Sequence, residues 1–532
     1  MTAPPNESST EKHTPLQVRP PRILCNTGAW SPLVDTTDIF AGNRGMSRDD
    51  EFTLFDAPVG IQFEVETALK SEPLLEAMQA WEYPTISPLY IWQEDGDYHM
   101  LYESGGVGIA YAHSDDAYHW TRPELGQIEF EGSKQNNLIA NPPRGSSGFF
   151  EDPGAPPNER YKAMGGNMAW YDPDTNEPLI GEEAGKRIAA QNAEGPAYKG
   201  PKAVIWGWML GWTSPDRFRW TPLEQPLGNR PVNGAIAARF DPHNNNYYAY
   251  LQIMGYPTEV MGGIGTGRLE ESTHRRTIGF ARTDDFHTWP APKLILEPDA
   301  QDDLDISFYG ANYFPYPGRT DLHGMLIPIY HQIADHMDGQ IAFSRDGLFW
   351  SRPERKPIIE VGPPGSGDEC SVHFWRGGLV ELPDGYWASP YTGNSTLHNV
   401  TGDREAAMFP LYRPRQIRWA RWQPHRFCGL VAALEGRFTI PTVYRCHDEL
   451  RLNYRCKPGG WIKVELLDKI PHLMTPDGDP VPGFSFAECD PLTGDALDHV
   501  VTWKGRNNIS GIGETVAIRI QMFQAKLFAY RV

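Results

Sequence analysis

Ile109-Ala-Tyr-Ala-His-Ser-Asp-Asp-Ala-Tyr-His-Trp120 returns three times in altered form along the chain. The copies are Leu210-Gly-Trp-Thr-Ser-Pro-Asp-Arg-Phe-Arg-Trp220, Ile278-Gly-Phe-Ala-Arg-Thr-Asp-Asp-Phe-His-Thr-Trp289 and Ile341-Ala-Phe-Ser-Arg-Asp-Gly-Leu-Phe-Trp350. A degenerate copy, Ile417-Arg-Trp-Ala-Arg-Trp422, keeps the strand and loses the Asp. Each copy reads as an alternating strand, a tight turn carrying Ser/Thr/Arg with Asp, and a Trp that covers the edge of its sheet. Radially repeated blades are written this way, so the pattern predicts a β-propeller. The recurring Asp115, Asp216, Asp284 and Asp346 are assigned to turn hydrogen bonding and set aside from catalysis.

Working outward from these echoes, five units can be drawn. The first runs through Leu89-Tyr-Ile-Trp92, an Asp95-Gly96 turn and Tyr98–Tyr102, a strong hairpin signal. The second opens at Phe149-Phe150 and carries a polar insertion around 172–200, expected to be a loop or lid. The third opens at Asn233, the fourth at Asp303 and the fifth at Asp368-Glu369. The glycine-rich stretch Gly262–Gly267 lacks a strand-then-helix setting and reads as a flexible loop, not a phosphate cradle. From about Gly429 short strands at regular spacing predict a β-sandwich: Phe438–Pro441, Leu450–Tyr454, Trp461–Leu466, Val500–Trp503, Thr515–Ile520 and Leu527–Tyr530. The fold class is therefore all-β, a five-bladed β-propeller followed by a C-terminal β-sandwich. The expected domains are a disordered tail over 1–21, a propeller over 22–428 with an N-terminal closing segment, and the sandwich over 429–532.

Composition narrows the function classes. The 532 residues exceed one compact core, and 17 Trp, 23 Tyr, 52 Gly and 48 Pro favour strands and turns over helices. A net charge of −20 repels nucleic acid and anionic membrane surfaces, which favours a neutral partner. Six cysteines without CxxC spacing argue for reduced thiols, not a zinc ribbon or disulfide scaffold. The first 21 residues lack an apolar signal core and no stretch reaches transmembrane length, so the chain is expected to be cytoplasmic. The sequons at Asn394 and Asn508 then carry no weight.

Propellers gather the first strand of each blade around a central funnel, so residues at blade starts converge. Those starts supply Glu82 beside Trp81, Asp152 beside Glu151, Asp303 with Asp305, and Glu369 beside Asp368. Carboxylates converging in a partly enclosed funnel suit glycoside cleavage, where one acid protonates the leaving oxygen and another attacks the anomeric carbon or activates water. Carboxylate separations of about 5–5.5 Å indicate retention and about 6.5–9.5 Å inversion. No dense Asp-x-Asp-x-Asp loop is present, so neither a metal nor another cofactor is expected.

The blade pattern, Asp152-Pro153 followed by Glu159-Arg160-Tyr161-Lys162, and Glu369-Cys370 together resemble the five-bladed propeller glycoside hydrolases related to glycoside hydrolase family 32, the invertase and levanase family. Similarity to family 43 is more distant. The resemblance covers residues 75 to 532 and implies a propeller paired with a C-terminal β-sandwich. In that family a Trp-Met-Asn-Asp-Pro-Asn-Gly motif supplies the nucleophile, Arg-Asp-Pro a transition-state stabiliser and Glu-Cys the general acid/base. Asp152 matches the second motif, with Glu151 in place of the Arg, and Glu369 matches the third in a later blade. The first motif is absent, and Glu82 in Ala80-Trp81-Glu82-Tyr83-Pro84 occupies its position.

The resemblance thus implies a glycosidase for a neutral glycoside or oligosaccharide, furanosides included. Asp152 would stabilise charge, Glu369 act as acid/base and Glu82 as nucleophile or water activator, with Asp305 in reserve. Trp81, Glu151, Asp303, Asp368, His398 and Trp375 are the candidate substrate contacts, and Trp206 and Trp208 are further stacking platforms. A carbohydrate-binding propeller without catalysis and a transglycosidase are the alternatives. His331, Asp335, His336 and Asp338 form a His/Asp cluster on one loop, read as a solvated turn over Asp335–Gly339 with metal binding as the alternative. The C-terminal domain is expected to brace the propeller, and self-association as a homo-oligomer stays open.

Overall fold

The computed structural model describes residues 28–46, 52–105, 107–140, 143, 148–172, 182–201, 204–228, 236–254, 275–374, 377–398, 413–468 and 479–532. These are almost wholly β, and none of their helices is long and apolar enough to cross a membrane. The chain divides into two compact units. One takes 32–35 with 62–430, the other 36–61 and 431–532 with the described residues up to Ser31. Residues 36–61, placed with the propeller by sequence, thus group with the C-terminal unit.

In the larger unit the strands form antiparallel meanders in chain order. Ile86–Glu94, Asp97–Ser104 and Gly108–Ser114 make the first sheet; Gly148–Glu151, Tyr161–Tyr171, Val204–Ser214 and Thr221–Pro222 make the next. Ile236–Asp241, Asn246–Met254, Arg276–Thr283 and Lys293–Leu296 make a third. An eleven-stranded sheet holds the rest. It consists of a meander around His323–His331 and His336–Ser344 and another around Trp387–Asn394 and Gln416–Trp422, joined by a parallel bridge at Met337↔Ser371. The short strands Leu69–Lys70 and Leu75–Glu76, from before the first meander, pair with Gln416–Trp422. An early segment therefore supplies outer strands to the last meander, a departure from the rule that neighbours in sequence pair.

The echoes explain why the meanders repeat. Asp116, Asp216 and Asp346 each accept two backbone N–H groups of the following turn, at 2.7–3.0 Å, and each receives or faces the Ser two positions earlier. Asp285 does the same for His287 N at 3.0 Å, with Thr283 in the Ser place. The Trp four positions after each Asp closes the clip by donating its indole N–H to the carbonyl three residues before it: Trp120 to Ala117, Trp220 to Arg217, Trp289 to Phe286, Trp350 to Gly347. Ala117, Arg217 and Gly347 have φ of 66°, 70° and 73°, the left-handed geometry that such a turn demands.

The working residue is thus the Asp four before the Trp. In the first and third echoes it is Asp116 and Asp285, one place along from the expected Asp115 and Asp284. Asp116→Ala should lower unfolding free energy by about 1–2 kcal/mol, as loss of a capping carboxylate does. Asp115→Ala should stay within about 0.5 kcal/mol of the parent. Urea midpoints of the two variants check the register directly.

Two further expectations need correction. The insertion 172–200 carries a helix, Glu182–Glu194, where a loop was expected; its Ala, Glu, Lys, Arg and Gln content is that of a good helix former. In the C-terminal unit the long described strands form one sheet in the order Asp495–Val500, Arg451–Leu467, Thr515–Arg531, Cys428–Tyr444, and Asn43–Met46 pairs with Phe52–Phe55 in a separate two-stranded sheet. Leu450–Tyr454 and Trp461–Leu466 are almost entirely parts of one 17-residue strand, because Lys457-Pro458-Gly459-Gly460 makes a bulge, not a reversal. Pairing with the partner strand jumps there from Cys456↔Ala525 to Trp461↔Phe523. Of the cysteines, Cys370, Cys428, Cys446, Cys456 and Cys489 are free thiols.

Candidate active site

A first strand, an antiparallel second and a third parallel to the first give every meander two ends. In the third meander Asp241 pairs Asn246 across a tight turn, so Ile236, Met254 and Arg276 lie together at the opposite end, where first strands start. Contacts between meanders respect these ends. Thr392, late in its second strand, donates to the carbonyl of Ile86, which starts a first strand (3.3 Å). At the far end Tyr98 donates to the carbonyl of Glu381 (3.1 Å) and Tyr247 to Asp152 Oδ2 (2.5 Å). Midway, Leu89, Phe149, Ala238 and Tyr313, from strands of four meanders, and Gly378, from the connection after Ser371–His373, line a common cavity.

This division separates the sequence-predicted carboxylates. Glu82, Asp305 and Glu369 precede the first strands at Ile86, Ile306 and Ser371, whereas Asp152 follows the strand Gly148–Glu151. Asp152 therefore stands at the opposite end. A four-residue strand alone separates its ends by about 13 Å at 3.3 Å per residue, beyond the reach of paired catalytic carboxyls. Asp152 is also 1% exposed and committed: Lys162 Nζ lies 3.0 Å from Oδ2, and Gly154 N donates to Oδ1 at 3.1 Å. The buried carboxylate pushes the Tyr247 hydroxyl pKa upward, after burial itself, so the phenol stays a proton donor. Glu151 beside it is held by Arg160 at 2.6–2.8 Å. Neither residue faces the other end.

Glu82 also departs from its expected role. Its carboxylate is fully buried and accepts from Tyr102 OH (2.7 Å), Arg122 Nε (2.7 Å) and Nη2 (3.1 Å), and the backbone N–H groups of Met78 and Gln79 (both 3.1 Å). Five donors on two oxygens leave no lone pair aimed at a substrate, so this is a structural carboxylate. Trp81 donates its indole N–H to Asn137 Oδ1 at 2.9 Å and packs edge-on to Phe130, within the core of the first meander. Asp368 turns outward, 1% exposed, to Lys70 Nζ (2.6 Å), Tyr391 OH (2.9 Å) and Ser366. Burial pushes its carboxyl up, but those three donors outweigh it and hold the group below its ordinary value.

Glu369 and Asp305 remain at the strand-start end, half-buried, accepting from Gly367 N (2.8 Å) and Ile333 N (3.2 Å). Asp303 is exposed beside them. Trp375 lies outside the described residues, as do the side chains of Trp206 and Trp208.

The strongest convergence at this end involves His398 and five residues that the sequence did not place in a substrate site. Tyr309 OH and His398 Nε2 are 2.8 Å apart, and the Arg276 guanidinium lies over the Tyr309 ring at 4.6 Å and the Tyr330 ring at 5.8 Å. Tyr330 donates to Asp335 Oδ1 (2.8 Å), and His398 N to the Asp335 carbonyl (3.0 Å). The His373 ring stands 5.8 Å from His398. These residues come from three meanders: Arg276 starts a third strand, Tyr330 and Asp335 flank a second-strand end, and His398 follows another. Such positions, legible as strand ends, were the available signal. Asp335 was read as part of a solvated turn, yet its carboxylate turns back to Tyr330.

Burial pulls His398 down to about 4 and His373 well below its ordinary value, with Arg415 adding to both, so both imidazoles are neutral at pH 7. A neutral His398 holds one donor and one acceptor, a fit for a sugar hydroxyl. In the unfolded chain His398 takes a proton near 6.5, in the native state near 4, so the unfolded state binds more protons between. This contribution to stability is complete above pH 7 and is lost as pH falls toward 4. Urea midpoints at several pH values should fall across that window, less steeply for His398→Gln; an equal slope in the variant would assign the loss elsewhere.

No protein-family model matches the chain, and no curated protein does. Among solved structures, a glycoside hydrolase aligns with a TM-score of 0.40 at 14% identity, over 68% of this chain and 93% of its own. A thermostable family-43 glycoside hydrolase aligns at 0.39 and 11%, over 66% and 92%. Sucrose-6-phosphate hydrolase from Lactobacillus gasseri aligns at 0.35 and 10%, over 89% and 93%. Likenesses of that order leave the family open, so the chemistry rests on the residues themselves.

Proposed function

We propose that the unit built on residues 62–430 is a five-bladed propeller, closed by Leu69–Lys70 and Leu75–Glu76, and that it is a glycoside hydrolase for a neutral glycoside or oligosaccharide. The other unit is a β-sandwich. One observation carries the functional reading. At the strand-start end Arg276, Tyr309, Tyr330, Asp335 and His398 converge from three meanders, and the carboxylates Glu369 and Asp305 open onto the same end without an ion-pair partner among the described residues.

In this reading Glu369 is the general acid/base, and Asp305 or Asp335 supplies the second carboxylate. Neutral His398 and the Tyr309 hydroxyl exchange hydrogen bonds with sugar hydroxyls. The Arg276 guanidinium lies over the two tyrosine rings, which meet edge to face, and makes them a rigid wall. Asp152 and Glu82 serve the scaffold. A carbohydrate-binding propeller without turnover is the second reading, favoured by the commitment of those two carboxylates to buried ion pairs.

The test is release of reducing sugar and chromophore by the parent protein and by Glu369→Gln, across fructosides, arabinofuranosides, xylosides and galactosides. Turnover by the parent that the variant lacks supports the hydrolase and names the sugar class. Binding of a sugar by both proteins without turnover supports the second reading.

A further inference from the structure

Asp335–Gly339 was expected to be a solvated turn, but only the preceding residues 332–334 are exposed. His331 ends one strand of a hairpin and His336 begins the next, and the two are directly paired across it. Paired residues project to the same face, and Asp338, two residues on from His336, projects there too. The adjoining Tyr330 and Met337 point the other way, and Tyr330 belongs to the Tyr309–His398 cluster. The His/His/Asp face therefore lies on the other side of the hairpin from the Tyr309–His398 cluster, although both sit at one end of the hairpin.

Three ligand-type side chains meet on that face. Their donor atoms all lie within 4.8 Å of one another. The two imidazoles stack at 4.2 Å with planes 9° apart, and His331 Nε2 lies 3.1 Å from Asp338 Oδ2. The second carboxylate oxygen supplies an independent observation. Asp338 is only 9% exposed, and its buried Oδ1 has no hydrogen-bond partner. A buried anionic oxygen left in that state is costly, and an unbound ion is a recognised reason for one. The carboxylate of Asp305 stands close by, anchored to Ile333 N in the same turn, and adds negative potential.

We propose that His331, His336 and Asp338 form a binding site for a borderline divalent transition-metal ion of the Zn²⁺ type. Two imidazoles and one carboxylate are its ordinary ligand set, whereas Ca²⁺ and Mg²⁺ prefer oxygen ligands throughout. Binding draws the three donor atoms inward to about 2.0–2.2 Å from the ion and fills the vacant coordination of Asp338 Oδ1 or Oδ2. Three protein ligands leave a fourth position open. Ile333, in the turn between the two histidines, is 87% exposed, and water fills that position in the proposed site.

The test uses the full chain, stripped with a chelator and desalted, then titrated with Zn²⁺ by calorimetry and with Co²⁺ by visible absorption. The expected result is one equivalent of tightly bound Zn²⁺ and the intense d–d band of four-coordinate Co²⁺. His336→Gln and Asp338→Asn should each weaken Zn²⁺ binding by at least about 100-fold, the upper range seen even for outer-shell partners. His243→Gln, at an exposed histidine of another hairpin, should leave it unchanged. Unaltered affinity in a folded His336→Gln protein overturns the site, as does a folded parent that binds no Zn²⁺ or prefers Ca²⁺. Circular dichroism identifies a variant that has not folded, and the other variant then decides.

Discussion

Arg122→Met should lower the unfolding free energy by about 3–5 kcal/mol, the cost of removing one partner from a buried ion pair. Glu82 is 0% exposed and receives two nitrogens of Arg122, whose Nη2 also donates to the Glu76 carbonyl at 2.7 Å. Without the guanidinium a buried carboxylate keeps only Tyr102 and two backbone N–H groups. It must then ionise uncompensated or take up a proton. The double variant Arg122→Met/Glu82→Gln should recover part of the loss, because no charge is left stranded. Denaturant midpoints measure both. A single variant within about 1 kcal/mol of the parent would return Glu82 to the list of functional carboxylates.

Turnover should separate the two ends of the strands. On the proposed glycosidase reading, Glu369→Gln should lower kcat by about 10²–10⁴-fold, the usual contribution of a positioned acid/base, with little effect on the denaturant midpoint. Glu369 is half-buried and its carboxylate accepts from Gly367 N, so little packing changes. Asp152→Asn should do the reverse. It strands Lys162, whose side chain is 3% exposed, and should destabilise by about 3–5 kcal/mol while the folded fraction keeps the parent kcat. The comparison is made at a temperature where both variants are folded. Loss of kcat in folded Asp152→Asn would place chemistry at the far end of the strands.

How far the chain could be read without coordinates follows from the range of the forces involved. The Ser/Thr-x-Asp-x-x-x-Trp clip is local, with every partner within six residues, and so the repeat could be seen in the letters alone. Even there two adjacent aspartates, Asp115-Asp116 and Asp284-Asp285, differ only in which one reaches the turn's N–H groups. Lys457–Gly460 looks like a turn because Pro and Gly punctuate turns and bulges alike, and only the partner strand decides between them. The short strands at Leu69 and Leu75 carry too few residues for any periodicity.

The site was less legible. Acidic residues next to first strands are visible in the sequence, but the end of the strand on which each sits depends on whether it precedes or follows the strand. Phe150-Glu151-Asp152-Pro153 gives no sign of that boundary. Partners such as Arg122 for Glu82, Lys162 for Asp152 and Lys70 for Asp368 are set by pairing in three dimensions, and each commits a candidate catalytic or substrate-contact carboxylate to an ion pair. Arg276, Tyr309 and His398 come together over more than a hundred residues of chain, a convergence that no local pattern announces.

The most direct measurement is a crystal structure of the protein soaked with the monosaccharide that its own substrate screen identifies. The account predicts sugar density against Tyr309, His398 and Glu369 at the strand-start end. Density against Asp152, Lys162 and Tyr247 at the opposite end, with the Tyr309–His398 cluster empty, would contradict it.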